Sequence, residues 1–309
     1  MIAVVSAIAP IFILIVIGYG FRKTGFPGDG LWAPAERLAY YVLLPALIIH
    51  TLAGADLKGI QIEQIITTVL ALSAALTVIC LIIRPLLRID GPGFTSVVQG
   101  TVRLNAYIGF AVAAAFFGPL GLTITAVFIA FMMPTVNVIC IAVLAKYGTA
   151  GKPGWWHIPF QIATNPLIVS CIAGIAINFL GLPQPAWVVG ILTILGKAAL
   201  PVALLCVGAG LDLSLGKTHR GAILTACALK LVVMPVAAWG ILQVTGLTGV
   251  GFSIAMMMAA TPASPATYVL ARQLGGDAPL MAGIVTTETA LSAITLSVVL
   301  MWLTGTLPI

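Results

Sequence analysis

Residues 10–57 read PIFILIVIGYGFRKTGFPGDGLWAPAERLAYYVLLPALIIHTLAGADL, and residues 166–213 read PLIVSCIAGIAINFLGLPQPAWVVGILTILGKAALPVALLCVGAGLDL. Laid over each other without a gap, they pair Pro10 with Pro166, Gly18 with Gly174, Gly25 with Gly181 and Pro27 with Pro183. Leu44–Pro45 meets Leu200–Pro201, Ala53–Gly54 meets Ala209–Gly210, and Asp56–Leu57 meets Asp212–Leu213. Matched leucines and alanines carry little weight in so apolar a chain. Matched prolines, glycines and aspartates carry more, because they fix where a backbone breaks or a segment ends. The chain therefore reads as two copies of one plan set 156 residues apart.

Composition names the solvent. The chain is 61% apolar and only 7% charged, against roughly a quarter charged in soluble domains. A water-soluble protein of this length cannot hide so much apolar surface, so lipid surrounds most of it. The net charge of +6 comes from basic residues scattered in ones and twos. It carries topology rather than a nucleic-acid surface. The five cysteines (Cys80, Cys140, Cys171, Cys206 and Cys227) lie inside apolar runs with no CxxC or Cys/His spacing. They read as small packing residues, and no metal or cofactor is expected. Near the start, the apolar run Ile2–Phe21 is followed, not preceded, by Arg22 and Lys23. That order predicts a retained first span with its N-terminus outside, not a cleaved signal peptide.

A span needs about 20 apolar residues, which predicts about ten: 3–21, 35–54, 61–84, 94–117, 120–145, 160–180, 187–211, 219–243, 249–271 and 280–303. The loops on one side receive Arg22, Lys23, Arg37, Arg84, Arg88, Lys146, Lys152, Lys217, Arg220 and Arg272; the other side receives Lys58 alone. The positive-inside bias predicts a multi-pass protein of the inner (cytoplasmic) membrane with both termini on the non-cytoplasmic side. Pro45 falls in the second span and its counterpart Pro201 in the seventh. An odd number of passages separates them, so the copies run through the membrane in opposite directions. The expected fold is an all-α membrane protein built as a 5+5 inverted repeat. Residues 1–146 form the first repeat, 147–159 a cytoplasmic connector and 160–309 the second repeat.

The repeat continues faintly at an offset of 158, with Gly93–Phe94 on Gly251–Phe252 and Gly118 on Gly276. It lays Arg103–Leu104–Asn105–Ala106–Tyr107 over Thr261–Pro262–Ala263–Ser264–Pro265. The first segment puts Arg and Asn near the bilayer centre; the second puts two prolines there, each without an N–H. Such backbone is tolerated inside protein or beside a water-filled cavity. Thr261–Pro262 and Ser264–Pro265 read as helix starts, with hydroxyl caps followed by Pro. Asn105 reads as a similar start, and Gly109 permits close approach. Two half-helix N-termini and Arg103 together form a candidate site for an anion, most naturally a carboxylate. The competing reading is a proline kink in a packing helix, with Arg103 snorkelling or paired to Glu288.

Glu288 is the only acid well inside a span. It is either a proton-coupling group or a structural partner for Arg103 or Lys230. Lys230 is either a counter-charge in a moving part or half of a buried pair. Lys197 is expected to reach interfacial or bundle water along its stem. His50, Asn137 and Asn178 read as interhelical hydrogen-bond residues, and Asn165–Pro166 as a helix cap. Trp155, Trp156 and His157 read as an interfacial anchor, and Met256–Met257–Met258 as soft packing beside the second break.

These residues together resemble the auxin efflux carrier family, in its bacterial branch. The resemblance rests on Leu43–Leu44–Pro45–Ala46–Leu47, Arg103–Leu104–Asn105 with Gly109, and Asn165–Pro166–Leu167. It continues in Leu200–Pro201–Val202–Ala203–Leu204 with Gly208, Lys230–Leu231 with Pro235, Pro262–Ala263–Ser264–Pro265 and Gly276–Asp277. It implies a fold related to bile acid:sodium symporters and sodium/proton antiporters. Spans 1, 2, 6 and 7 would form a scaffold; spans 3–5 and 8–10 would form a transport domain with spans four and nine broken and crossing. It also implies an elevator-like secondary transporter of a small organic anion, such as a dicarboxylate or an indole acid, and a homodimer.

The substrate-binding set is then Arg103, Asn105, Tyr107, Gly109, Thr261, Pro262, Ser264 and Pro265, with Glu288 and Lys230 as ion-coupling candidates. The coupling ion is Na+, held by carbonyls at the breaks with Asn or Thr oxygens, or H+ on Glu288, or none. An anion channel or uncoupled facilitator is the rival class. An intramembrane enzyme has no HExxH, GxSxG or paired aspartate to rest on, and ATP-driven transport has no P-loop.

Overall fold

The computed structural model describes residues 2–149, 160, 163–213 and 219–306. Every regular element among them is helical. Six helices are long and apolar enough to cross a membrane: Val4–Thr24, Ile62–Leu87, Gly91–Tyr147, Ala186–Ala209, Arg220–Thr245 and Ala278–Gly305. Pro166–Phe179 and Gly249–Ala259 are shorter and also apolar. The protein is therefore a multi-pass integral membrane protein. The expected anchor at Trp155, Trp156 and His157 lies outside the described residues, as do Lys152 and Lys217.

Burial is inverted relative to a soluble protein. Ile13, Val16, Phe179, Ile194 and Val244 stand exposed, whereas Gln99, Asn105, Lys230 and Glu288 are fully buried. Lipid solvates the apolar surface at no cost, and the polar groups are gathered where protein can serve them.

Two compact units emerge. The first takes the described residues of Met1–Ile60, Tyr107–Ala130 and Pro159–Gly210. It contains α1 (Ile2–Thr24), α2 (Trp32–Leu38), α3 (Leu44–Ala53), α7 (Pro166–Phe179) and α8 (Ala186–Ala209). Helix α1 packs along α8, and α3 packs against both α7 and α8. Glycine makes these approaches close, as expected where no hydrophobic force drives helices together in lipid. A Cβ on Gly174 would stand 2.8 Å from Leu52 Cβ, and one on Gly196 would stand 3.2 Å from Leu47 Cα. Asn165 caps α7, its Oδ1 accepting from Leu167 N (3.0 Å) and Ile168 N (3.4 Å). Asn178 donates to the carbonyls of Leu52, Ala53 and Ala55 at the end of α3. Both asparagines do what their sequence settings suggested.

The second unit takes the described residues of Gln61–Ala106, Phe131–Ile158 and Leu211–Ile309. It holds α4 (Ile62–Leu87), α5 (Gly91–Val102), α9 (Arg220–Ala228), α10 (Met234–Thr245), α11 (Gly249–Ala259), α12 (Ala266–Gln273) and α13 (Ala278–Thr306). Helix α6 (Ala106–Tyr147) groups with the first unit over Tyr107–Ala130 and with the second from Phe131 onward. Its helical geometry fails at Gly118 (φ 55°, ψ −143°), where Gly118–Pro119 had predicted a division between spans. That φ is open to glycine at little cost. Two π-turns, Ala39–Leu43 and Leu229–Val233, each end two residues before a proline, Pro45 and Pro235. Proline offers no N–H to the carbonyl four residues back and clashes with it. Widening the preceding turn absorbs the misfit.

Candidate functional site

The site is built inside the second unit, where two helices stop in the interior. Helix α5 starts cleanly, because Asp90 Oδ1 accepts from Gly93 N (2.9 Å) and Pro92 occupies its first turn. All its residues from Gly93 to Val102 are buried. It ends at Arg103, whose backbone turns extended (φ −80°, ψ 152°) while its N–H still bonds Gln99 O (3.0 Å). Leu104 and Asn105 follow without helical geometry, and α6 resumes at Ala106. Asn is a poor residue for a helix interior and a good one just ahead of a helix. Tyr107 and Gly109 sit in the first turn of α6, which groups with the first unit. The phenol of Tyr107 lies in the electrostatic field of Glu36, Tyr40 and Cys206 there.

The second interruption separates α11 from α12 at residues 260–265. Here the expected hydroxyl caps are not formed. Thr261 Oγ1 donates back to Met258 O (2.7 Å), and α12 begins without a side-chain cap bond. The reason is the proline. Met258 O would normally receive the N–H of residue 262, and Pro262 has none. Thr261 serves the stranded carbonyl instead, with both its hydroxyl and its N–H (3.2 Å). The carbonyl of Ser264 accepts from Thr267 N (3.0 Å) and from the Thr267 hydroxyl, closing the turn into α12 around Pro265.

Glu288 enters from α13. Its Oε2 accepts from Ala263 N at 2.8 Å, so a buried carboxyl serves the backbone between Pro262 and Pro265. The picture of two helix starts both offering free N–H groups is corrected accordingly, since Ala263 N–H is already taken. The other oxygen, Oε1, would stand 3.4 Å from a Cβ on Gly100 of α5. Neither Arg103 nor Lys230 is within ion-pair distance of Glu288; among the described residues that distance is met by Arg22 and Asp29 alone. Lys230 lies in the second π-turn, wholly buried, with Nζ 3.1 Å from Met234 Sδ and in the electrostatic field of Glu288.

Arg103 lies against the thiol of Cys140. Among the described residues its Nη1 is buried without a partner, as are Gln99 Nε2 and Oε1, Glu288 Oε1 and Thr289 Oγ1. Unserved polar atoms are costly in a protein interior and mark places where a polar guest belongs. Sequence reasoning missed Gln99 and Thr289. One signal was available: Gln99 is an amide one helical turn before Arg103, in a mid-span run of small and apolar residues.

Residues 157–300 match the family described as "Membrane transport protein". The chain is also similar, at 25% identity over 294 residues, to an "Uncharacterized transporter" of Methanothermobacter thermautotrophicus, covering 94% of this chain and 95% of that one. These matches support reading the chain as a membrane transporter similar to the auxin efflux carrier family. It is a transporter and not an enzyme. A "Putative malonate transporter" of Rhizobium meliloti is similar at 25% identity over 291 residues, covering 88% of this chain and 87% of that one.

Proposed function

We propose that this protein is a secondary active transporter of a small organic anion of dicarboxylate or indole-acid type. The anion is bound at the first interruption and carried by an elevator-like movement. One observation carries this: Arg103 sits beside an interior helix break and, among the described residues, has a buried, unserved N–H and no acid within ion-pair distance. Arg is the side chain best matched to a carboxylate, and the name of the rhizobial relative mentions malonate.

The same reading takes ten passages as an inverted repeat, with spans four and nine broken and crossing. It adds Trp32–Ala53, Pro166–Phe179 and Gly249–Gln273 to the six long helices and divides Gly91–Tyr147 in two. That last stretch has 57 residues. At about 1.5 Å per residue it would measure roughly 85 Å, far beyond one bilayer core of about 30 Å. Spans 1, 2, 6 and 7 supply the scaffold, joined as a homodimer, and spans 3–5 and 8–10 supply the moving part, with Tyr107–Ala130 of spans 4 and 5 grouping with the first unit. In support, the first unit gathers α1, α3, α7 and α8, the helices of the strong repeat. Both termini face away from the cytoplasm, as the loop charges favour.

Arg103→Ala and Asn105→Ala are expected to abolish uptake of malonate into proteoliposomes while the protein stays folded. Unchanged uptake removes the proposal. Single-channel current in place of saturable flux turns it into the channel reading.

A further inference from the structure

Gln99 and Arg103 stand one helical turn apart at the end of α5, linked by the Arg103 N to Gln99 O bond of 3.0 Å. At this spacing two side chains share a face. Gln99 is wholly buried. Among the described residues its amide has both a donor (Nε2) and an acceptor (Oε1) unserved, while Arg103 has an unserved donor. A carboxylate offers acceptors only. It matches Arg103, but against Gln99 it would leave Oε1 facing another oxygen. A protonated carboxyl offers one O–H and one C=O, and so satisfies both atoms of a primary amide at once.

On the reading of this protein as a carrier of organic anions, we propose that the site takes a dicarboxylate in its singly protonated form. Arg103 holds the carboxylate, and Gln99 holds the neutral carboxyl through two hydrogen bonds. The proton then travels on the substrate. Gln99 is the residue that separates dicarboxylates from monocarboxylates, because a monocarboxylate leaves both its polar atoms buried and unserved. The titratable groups facing α5 and Arg103 are Cys80, bonded to Thr101; Cys140, against Arg103; Cys227, Lys230 and Glu288, which interact electrostatically; and Arg84 and Tyr147, both against the Phe94 ring. A test must separate their titration from that of the ligand.

Malonate, its monoamide malonamate and acetate serve as probes, with binding to the detergent-solubilised full chain read by calorimetry across a pH series. Malonamate carries a carboxylate and a permanently neutral amide, so any protein group that titrates affects it as it affects malonate. The expected result is malonate affinity that falls about tenfold per pH unit above the second ionisation of malonate, while malonamate affinity stays level. Gln99→Leu is expected to weaken malonate and malonamate by about tenfold or more and to change acetate by less than about threefold. In Glu288→Gln the contrast between malonate and malonamate persists.

Malonate and malonamate with parallel pH profiles overturn the protonated form. Equal loss of malonate and acetate in Gln99→Leu, or loss of neither, overturns the role of Gln99. If malonate binds and only these contrasts fail, the carrier reading stands without this refinement. If none of the three anions binds, both fall together. The wild-type pH comparison needs no variant and so does not depend on Gln99→Leu folding.

Discussion

Glu288 illustrates how one side chain can hold a break open. A buried prolyl segment leaves backbone groups unpaired, and Glu288 Oε2 serves Ala263 N, a residue flanked by Pro262 on one side and Ser264–Pro265 on the other. Sequence reading offered two roles for this acid, proton carrier or partner of a basic residue, and the geometry adds a third as support for the break. Removing the carboxyl leaves Ala263 N–H buried and orphaned, at a cost of about 1–3 kcal/mol, with a cavity penalty added. Glutamine keeps an oxygen acceptor at the same reach. Glu288→Ala is therefore expected to lower the unfolding temperature in detergent clearly more than Glu288→Gln. Equal falls would mean that another group serves Ala263. Gly100 belongs to the same arrangement. A Cβ there would press on Ile284 Cγ2 at 2.6 Å and approach Glu288 Oε1 at 3.4 Å, so glycine lets α5 pass close to α13.

At the scale of elements, helix ends are set by single capping residues, and their worth can be measured. Asn165 Oδ1 serves two N–H groups of α7, and Asp90 Oδ1 serves one of α5. Replacement of either by alanine is expected to cost about 1 kcal/mol, the larger loss falling at Asn165. Faster hydrogen exchange at Leu167 and Ile168 in Asn165→Ala would localise the effect to the first turn of α7; unchanged exchange there would refute it.

What the sequence made legible follows the same local logic. Proline, glycine and capping Asn act within a few residues of themselves, so the start of α7, the break at Gly118 and the interruption at Pro262 could all be read in advance. Arg103–Asn105 was legible through charge and polarity at mid-span. The π-turns ahead of Pro45 and Pro235 were not, because proline can be accommodated in several ways. Thr261 was misread as a cap, since its hydroxyl is drawn back to the carbonyl that Pro262 strands. The reach of Glu288 to Ala263 spans 25 positions, and no local pattern encodes it.

At the scale of the whole molecule, the inverted repeat makes a claim about sides that the second unit can test. Gln61 Oε1 accepts from Thr248 N (2.9 Å), which ties the start of α4 to the start of α11. Asp277 N donates to Pro92 O (3.3 Å), Ser96 Oγ donates to Asp277 O (2.8 Å), and Thr149 N donates to Gly275 O (3.0 Å). These bonds tie the start of α5, the end of α6 and the start of α13 together. Alternating passages place the first group on the side that receives Lys58 and the second on the side that receives Arg88 and Arg272. The five native cysteines are buried, so single cysteines placed on exposed residues can report sides with little background. Lys58, Arg88, Thr248 and Arg272 are all exposed. In intact cells, Lys58→Cys and Thr248→Cys are expected to react with a membrane-impermeant maleimide. Arg88→Cys and Arg272→Cys are expected to react only after the membrane is opened. Reversal of the two pairs would keep the repeat and invert its orientation. Lys58→Cys and Thr248→Cys reporting opposite sides would break the alternation itself, and with it the antiparallel pairing of the two halves.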